Sequence, residues 1–145
     1  MVEVLRIEAK DTYIIRHNVL RPNQTIDDCK FLNDEENNTF HLGGFIQGEL
    51  ISIASFYKEK NSGFDDEHQY RLRGMATLPH YRSRKAGSIL IKEAELLLQS
   101  RKASVWWCNA RTSASGYYQK LGLRVHGAIF EIDGIGPHVM MYKNL

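Results

Sequence analysis

The sequence predicts an α/β (α+β) architecture, a mixed central sheet of about seven strands flanked by helices. Three observations carry this. Several short stretches alternate apolar and polar residues, the period of a half-buried strand. Other stretches place apolar residues at helical spacing. One of these lies between two strand-like segments at residues 70–111, the arrangement of a right-handed crossover between parallel strands.

The elements follow in order. "VEVLRIEA" alternates and reads as a strand. In "KDTYIIRHNVLRPNQ" Asp11 or Thr12 can cap a helix, Ile14, Ile15 and Val19 give its stripe, and Pro22 blocks continuation. Residues 23–38 are mostly polar, with Cys29, Phe31 and Leu32 as anchors, and read as a short helix or surface loop. "TFHLGGFIQGELISIASFYKEK" reads as two strands joined by a tight turn at Gln47-Gly48. "YRLRGMATL" is a strand closed by Pro79, and a basic loop follows it. A helix from about Ala86 to Arg101 turns Ala86, Ile89, Leu90, Ala94, Leu97 and Leu98 inward and Lys92, Glu95 and Gln99 outward. "ASVWWCNAR" is a short strand with Trp106 and Trp107 facing opposite layers. "TSASGYYQKLG" starts a helix at Thr112 or Ser113 and stops it at Gly122. "LRVHGAIFEI" and "HVMMYK" close as a hairpin around "DGIG".

The composition narrows the function classes. The chain has 145 residues, 25% of them charged, and a net charge of +2, too mild for a nucleic-acid-binding surface. Cys29 and Cys108 show no metal-ligand spacing and read as reduced thiols of a cytoplasmic protein. "MVEVLRIEAK" is no signal peptide, and no apolar run approaches the roughly 20 residues of a membrane span. Neither metal, nucleic acid nor membrane is expected as a partner, and the chain is expected to be a monomer or homodimer.

The stretch "YRSRKAG" crowds Arg82, Arg84 and Lys85 just before a helix. The first N–H groups of a helix lack intrahelical partners and its dipole adds partial positive charge, so this is a physical anion site. Gly87 removes bulk where an anion would approach, and the cations could serve a diphosphate. On this segment alone a solvated basic loop is the commoner explanation, because short basic runs are frequent. It is neither a Walker loop nor G-x-G-x-x-G.

"MATLPHYRSRKAG" with its helix resembles the coenzyme A-binding segment of the GNAT superfamily of N-acetyltransferases, whose pattern is [Q/R]-x-x-G-x-[G/A]. Arg82 and Gly87 match its ends, while Lys85 stands where the middle glycine belongs. "SGYYQKLGL" resembles the superfamily's later helix. "LRPNQ", "FHLGG", "LISIASF", "YRLRGMATL", "KAGS", "WCNARTSASGYY" and "GPHVMMYK" are similar to the bacterial glyphosate N-acetyltransferase branch, where lysine at the Lys85 position is usual.

The resemblance implies one N-acetyltransferase domain over residues 1–145, with acetyl-CoA as cosubstrate in a cleft between two splayed parallel strands. It implies coenzyme contacts at Met75, Ala76, Thr77, Arg82, Ser83, Arg84, Lys85, Ala86, Gly87, Ser88, Asn109, Ser115 and Tyr118. The Met75 N–H would polarise the thioester carbonyl, and on residue type alone Met75 is only a strand residue. His138 would be the general base and Tyr118, four before Gly122, the general acid; on composition alone each is one ordinary ring among several. Arg21, Arg73 and Arg111 would clamp an anionic amine, with Phe31 lining the pocket. Spacing alone favours three ordinary salt bridges to the seventeen acids of the chain. Arg73 and Met75 are expected on one face of their strand. The implied activity is acetyl transfer to the amine of a small amino acid or aminophosphonate. Its rivals are transfer to a protein N-terminus, polyamine or aminoglycoside, and a non-catalytic acetyl-CoA-binding module.

Overall fold

In a computed structural model describing Met1–Leu145, the alternating segments pair into one seven-stranded sheet of order β1-β2-β3-β4-β5-β7-β6. These are β1 (Glu3–Ile7), β2 (Phe40–Ile46), β3 (Glu49–Lys58), β4 (Gln69–Thr77), β5 (Val105–Arg111), β6 (Arg124–Ile132) and β7 (Gly136–Asn144). β4 and β5 are parallel, and every other neighbouring pair is antiparallel. Three α-helices accompany the sheet: α1 (Ala9–Ile15), α2 (Ala86–Ser100) and α3 (Ser115–Lys120). The mixed, helix-flanked sheet expected from the sequence is the one observed.

Local chemistry explains the joints. Gln47 and Gly48 both have positive φ, 50° and 81°, the geometry of a two-residue hairpin turn. Gly122, at φ 98°, ends α3 as expected. One face of the sheet packs Phe40, Phe56, Leu72 and Trp106 against Leu90, Ile91, Ala94 and Leu98 of α2. Glu95 does not face outward as expected. It accepts a hydrogen bond from Trp106 Nε1 at 2.8 Å and pairs with Lys143 at 2.9 Å, because a buried indole N–H needs an acceptor. The other face is smaller, with Ile15, Ile53 and Ala76 beneath α1.

α1 starts earlier than expected, capped at Glu8, whose N–H donates to Asp11 Oδ2 at 2.9 Å. Its stripe also differs: Ile14 is exposed, while Thr12, Ile15 and Arg16 are buried. Leu32 is likewise exposed, and Asp34 is buried in its stead. Beyond α1 the chain winds through a π-helical turn, Arg16–Leu20. Arg16 and Asp34 explain the exchange. Arg16 Nη1 donates to Asp34 Oδ2 at 2.7 Å and Nη2 to Oδ1 at 3.1 Å. The guanidinium also donates to Cys29 O, Ser55 Oγ and Tyr57 Oη. Asp34 in turn accepts from the Phe31 N–H at 2.9 Å and from the Tyr57 hydroxyl. Burial alone would raise the Asp34 pKa; the Arg16, Tyr57 and Phe31 donors outweigh it and leave the carboxyl below its ordinary range. His41, bonded to Ser55 Oγ and Asp34 O, is pushed down, foremost by burial.

β4 decides what the sheet can do. It pairs with β5 only from Gln69 to Arg71; beyond that, β4 keeps β3 and β5 keeps β7, so their facing edges part. Against β3, Ile53 aligns with Ala76 but Ser55 with Arg73, so β4 carries one extra residue, a bulge. Gly74 lies in it at φ 65°. The bulge shifts the alternation by one. Met75 packs against the α2-side core and Ala76 against the α1-side cluster, whereas Arg73 lies over Phe31. This corrects the expectation that Arg73 and Met75 share a face.

Gly74→Ala places a Cβ 3.2 Å from both Arg16 Nε and Phe31 Cε2 at a positive φ, so it should cost more than Gly48→Ala, which has open space around it. The latter carries the conformational cost alone, about 1 kcal/mol; urea unfolding of the two variants measures the difference. His41 is held neutral in the fold and takes up a proton when unfolded, so its contribution is complete above about pH 6.5 and is lost as pH falls. The melting temperature should therefore fall from pH 7 to pH 5, with a smaller slope in His41→Gln.

Candidate functional site

The basic segment is ordered rather than an open loop. Pro79–Arg84 forms a 3₁₀ turn, and Lys85 follows in the left-handed conformation, φ 59° and ψ 27°, as the N-cap of α2. Only part of the cation crowding points one way. Arg82 and Lys85 line a cleft of about 530 Å³ at the α2 N-terminus, with Met75, Ala76, Thr77, Gly87 and Ser88. Arg84 instead lies 5.9 Å from the Tyr81 ring centroid, Ser83 is exposed, and Ala86 is buried. Gly87 is needed for closeness: a Cβ there would overlap the Tyr117 hydroxyl and sit 2.7 Å from Met75 Cε. The cleft therefore combines the free N–H groups of a helix end, three cations (Arg82, Lys85 and, at the end of β5, Arg111), and the open edge of β4.

A second cavity of about 380 Å³ lies beyond it, lined by Arg21, Arg73, Arg111, Phe31, Asn109 and His138, and by Arg71. A narrower space joins the two, touching Met75 and Tyr118 on one side and Arg73, Asn109 and His138 on the other. The strand register explains the meeting: Arg111, at the end of β5, pairs with His138 in β7. Arg21 follows the π-helical turn, and Phe31 is fixed by the bond from its N–H to Asp34. Ser115 lines neither space; its hydroxyl donates to Thr112 O at 2.9 Å.

The charges are unbalanced. None of Arg21, Arg73 and Arg111 has a carboxylate within 4.0 Å, so the three ordinary salt bridges that spacing allowed are absent. Arg73 is half-buried. Burial first, then the Arg71 and Arg21 charges, lower its pKa. The Phe31 ring carries Arg16 at 4.0 Å, Arg73 at 4.4 Å and Arg21 at 4.9 Å from its centroid, a shared cation–π platform.

His138 is 5% exposed, and its Nδ1 lies 2.8 Å from Gly136 O. A carbonyl can only accept, so the neutral ring carries its proton on Nδ1 and leaves Nε2 with a lone pair. Tyr118 packs on the core with its hydroxyl 3.8 Å from Met75 Sδ; burial foremost raises its pKa, so it holds its proton. Tyr117 is the more exposed of the two and also lines the cleft at the α2 N-terminus. The Cys108 thiol is pushed up to about 12 by burial and is no nucleophile at neutral pH. Sequence reasoning missed Arg16, the Gly74 bulge, Tyr117 and Arg71; only Tyr117 had a signal, its place beside Tyr118.

A sheet opened between two parallel strands, with a cationic helix end at its mouth, defines a transferase built around an acyl-coenzyme A. The chain belongs to the acetyltransferase (GNAT) family, whose model matches residues 2–123. It is an acetyl-CoA-dependent N-acetyltransferase. The uncharacterized N-acetyltransferase YitI of Bacillus subtilis is 51% identical over 145 residues, covering 100% of this chain and 97% of that protein. Among solved structures, an aminoglycoside 6'-N-acetyltransferase complexed with coenzyme A superposes with a TM-score of 0.77 at 11% identity, covering 98% of this chain and 96% of that one. A GNAT-family acetyltransferase from Streptococcus pneumoniae superposes at 0.72 with 19% identity, covering 100% and 99%. At these identities the likeness is one of fold.

Lys85→Gly separates strain from charge. Glycine relieves a left-handed lysine of about 1 kcal/mol, yet it removes a cation from the cleft. Stability should rise slightly while acetyl-CoA affinity falls several-fold by calorimetry.

Proposed function

We propose that this N-acetyltransferase acts on the amine of a small anionic substrate of amino-acid or aminophosphonate type, with residues 1–145 as the catalytic unit. One observation carries the reading: three guanidinium groups without carboxylate partners surround a cavity that also holds His138. Forked, uncompensated arginines favour carboxylate or phosphonate oxygens and repel polyamines or aminoglycosides. The resemblance to the glyphosate N-acetyltransferase branch supports the same class.

The transfer is direct. His138 Nε2 takes a proton from the substrate ammonium. The freed nitrogen attacks the thioester carbonyl, whose developing oxyanion the Met75 N–H steadies. As the C–N bond forms and the C–S bond breaks, the Tyr118 hydroxyl gives its proton to the departing thiolate; the second proton, shed by the nitrogen as it becomes an amide, restores the Tyr118 phenol, and the one held by His138 leaves to water. Arg21, Arg73 and Arg111 hold the anionic groups so that the nitrogen meets the thioester where the two cavities join.

His138→Ala should lower kcat by roughly a hundredfold or more while calorimetric acetyl-CoA binding stays nearly intact. Equal loss of both would assign His138 a structural part. Arg73→Met should raise KM for anionic amines about tenfold or more with little change for acetyl-CoA. Thiol release across amino acids, aminophosphonates, polyamines and aminoglycosides tests the class; preference for the cationic amines overturns it.

A further inference from the structure

Arg71 takes no part in the transfer just described, yet it lines the same cavity as Arg73. Its neighbours Tyr70 and Leu72 are buried on the α2 side, so Arg71 and Arg73 share the opposite face. Their Cα atoms are about 7 Å apart along the strand. Arg71 is also the last β4 residue paired with β5, where the two strands are still joined. Along β4 the order is therefore Met75 at the transfer point, Arg73, then Arg71 at the closed end.

The side chain is fixed in place. Its Cζ lies 5.0 Å from the Trp107 ring centroid, and Nη1 donates to Glu59 Oε2 at 3.1 Å. Nε is buried without an acceptor. Glu59 is the one carboxylate paired to the set, against four guanidinium groups from Arg21, Arg71, Arg73 and Arg111. A substrate with a single anionic group leaves most of that charge unanswered.

We propose that Arg71 is a specificity-determining residue forming a distal anion subsite, so that the preferred substrate is an amine with two anionic groups, the second lying farther from the reacting nitrogen. This rests on the anionic-amine reading above. The first anion sits on Arg73 and its neighbours, and the second reaches Arg71 at the closed end. Glu59 holds Arg71 in the pose that receives it, and half-neutralises it until it does.

The test is kcat/KM by thiol release for alanine, aspartate, glutamate and 2-aminoadipate, with wild type, Arg71→Met and Glu59→Gln. Methionine keeps an unbranched stem against Trp107 and removes the charge. Wild type should favour the longer two-anion amines. Arg71→Met should lose about tenfold or more on these, mainly through KM, and at most about threefold on alanine. Glu59→Gln leaves Arg71 unneutralised and should gain several-fold on the two-anion amines. No wild-type preference for a second anion, or equal losses across the series in Arg71→Met, refutes the subsite and leaves the anionic-amine reading standing. If wild type acetylates none of these amines nor any aminophosphonate, that reading itself fails. Should Arg71→Met not fold, Glu59→Gln decides alone: an unchanged preference overturns the proposal.

Discussion

The buried pair of Arg16 and Asp34 holds together the elements from which the site is made. Removing two charges from water costs several kcal/mol per ion, recovered only when geometry and hydrogen bonds are good. Here Arg16, fully buried, makes five hydrogen bonds, two of them to one carboxylate. Those bonds join the π-helical turn that leads to Arg21, the segment that carries Phe31, and the centre of β3. Its one unanswered atom, Nε, faces the Gly74 bulge, close enough that a Cβ there would lie 3.2 Å away. One side chain thus fixes the spacing between the arginine-lined cavity and the strand that carries Met75.

The bulge then divides the labour. Without it, Arg73 and Met75 would point to one side. With it, Met75 turns to the α2 side, where Tyr118 and the helix end lie, and Arg73 turns to Phe31. The parting of β4 from β5 opens a passage between the two sides at the same place. The two cavities then meet at a narrow neck that both His138 and Tyr118 line.

Much of this was legible in the residues. Period-two alternation marked the strands, Gln47-Gly48 and Gly122 marked a turn and a helix end, and α2 was bounded to within one residue. The cation-rich segment before α2 and the arginines at positions 21, 73 and 111 were all visible as candidates. What escaped depends on partners distant in sequence. The bulge exists only in register with β3, so alternation along β4 alone gave the wrong phase after Gly74. Arg16 occupies a core position that polarity argued against, because its counter-charge, Asp34, is eighteen residues away. Arg71 looked like any strand cation until the parting of β4 and β5 placed it in a cavity.

β6 has a consequence of another kind. It lies at the sheet's edge and is exposed along nearly its whole length, with Val125, Ile129 and Phe130 open to solvent. Such a rim invites foreign strands to add on and begin aggregation. The chain blunts it from within: around Gly127, φ 84°, residues 127–129 step out of register with β7, so the backbone row is broken in the middle. Straightening that kink would lengthen the sheet's sticky border, and the first loss would be solubility rather than catalysis.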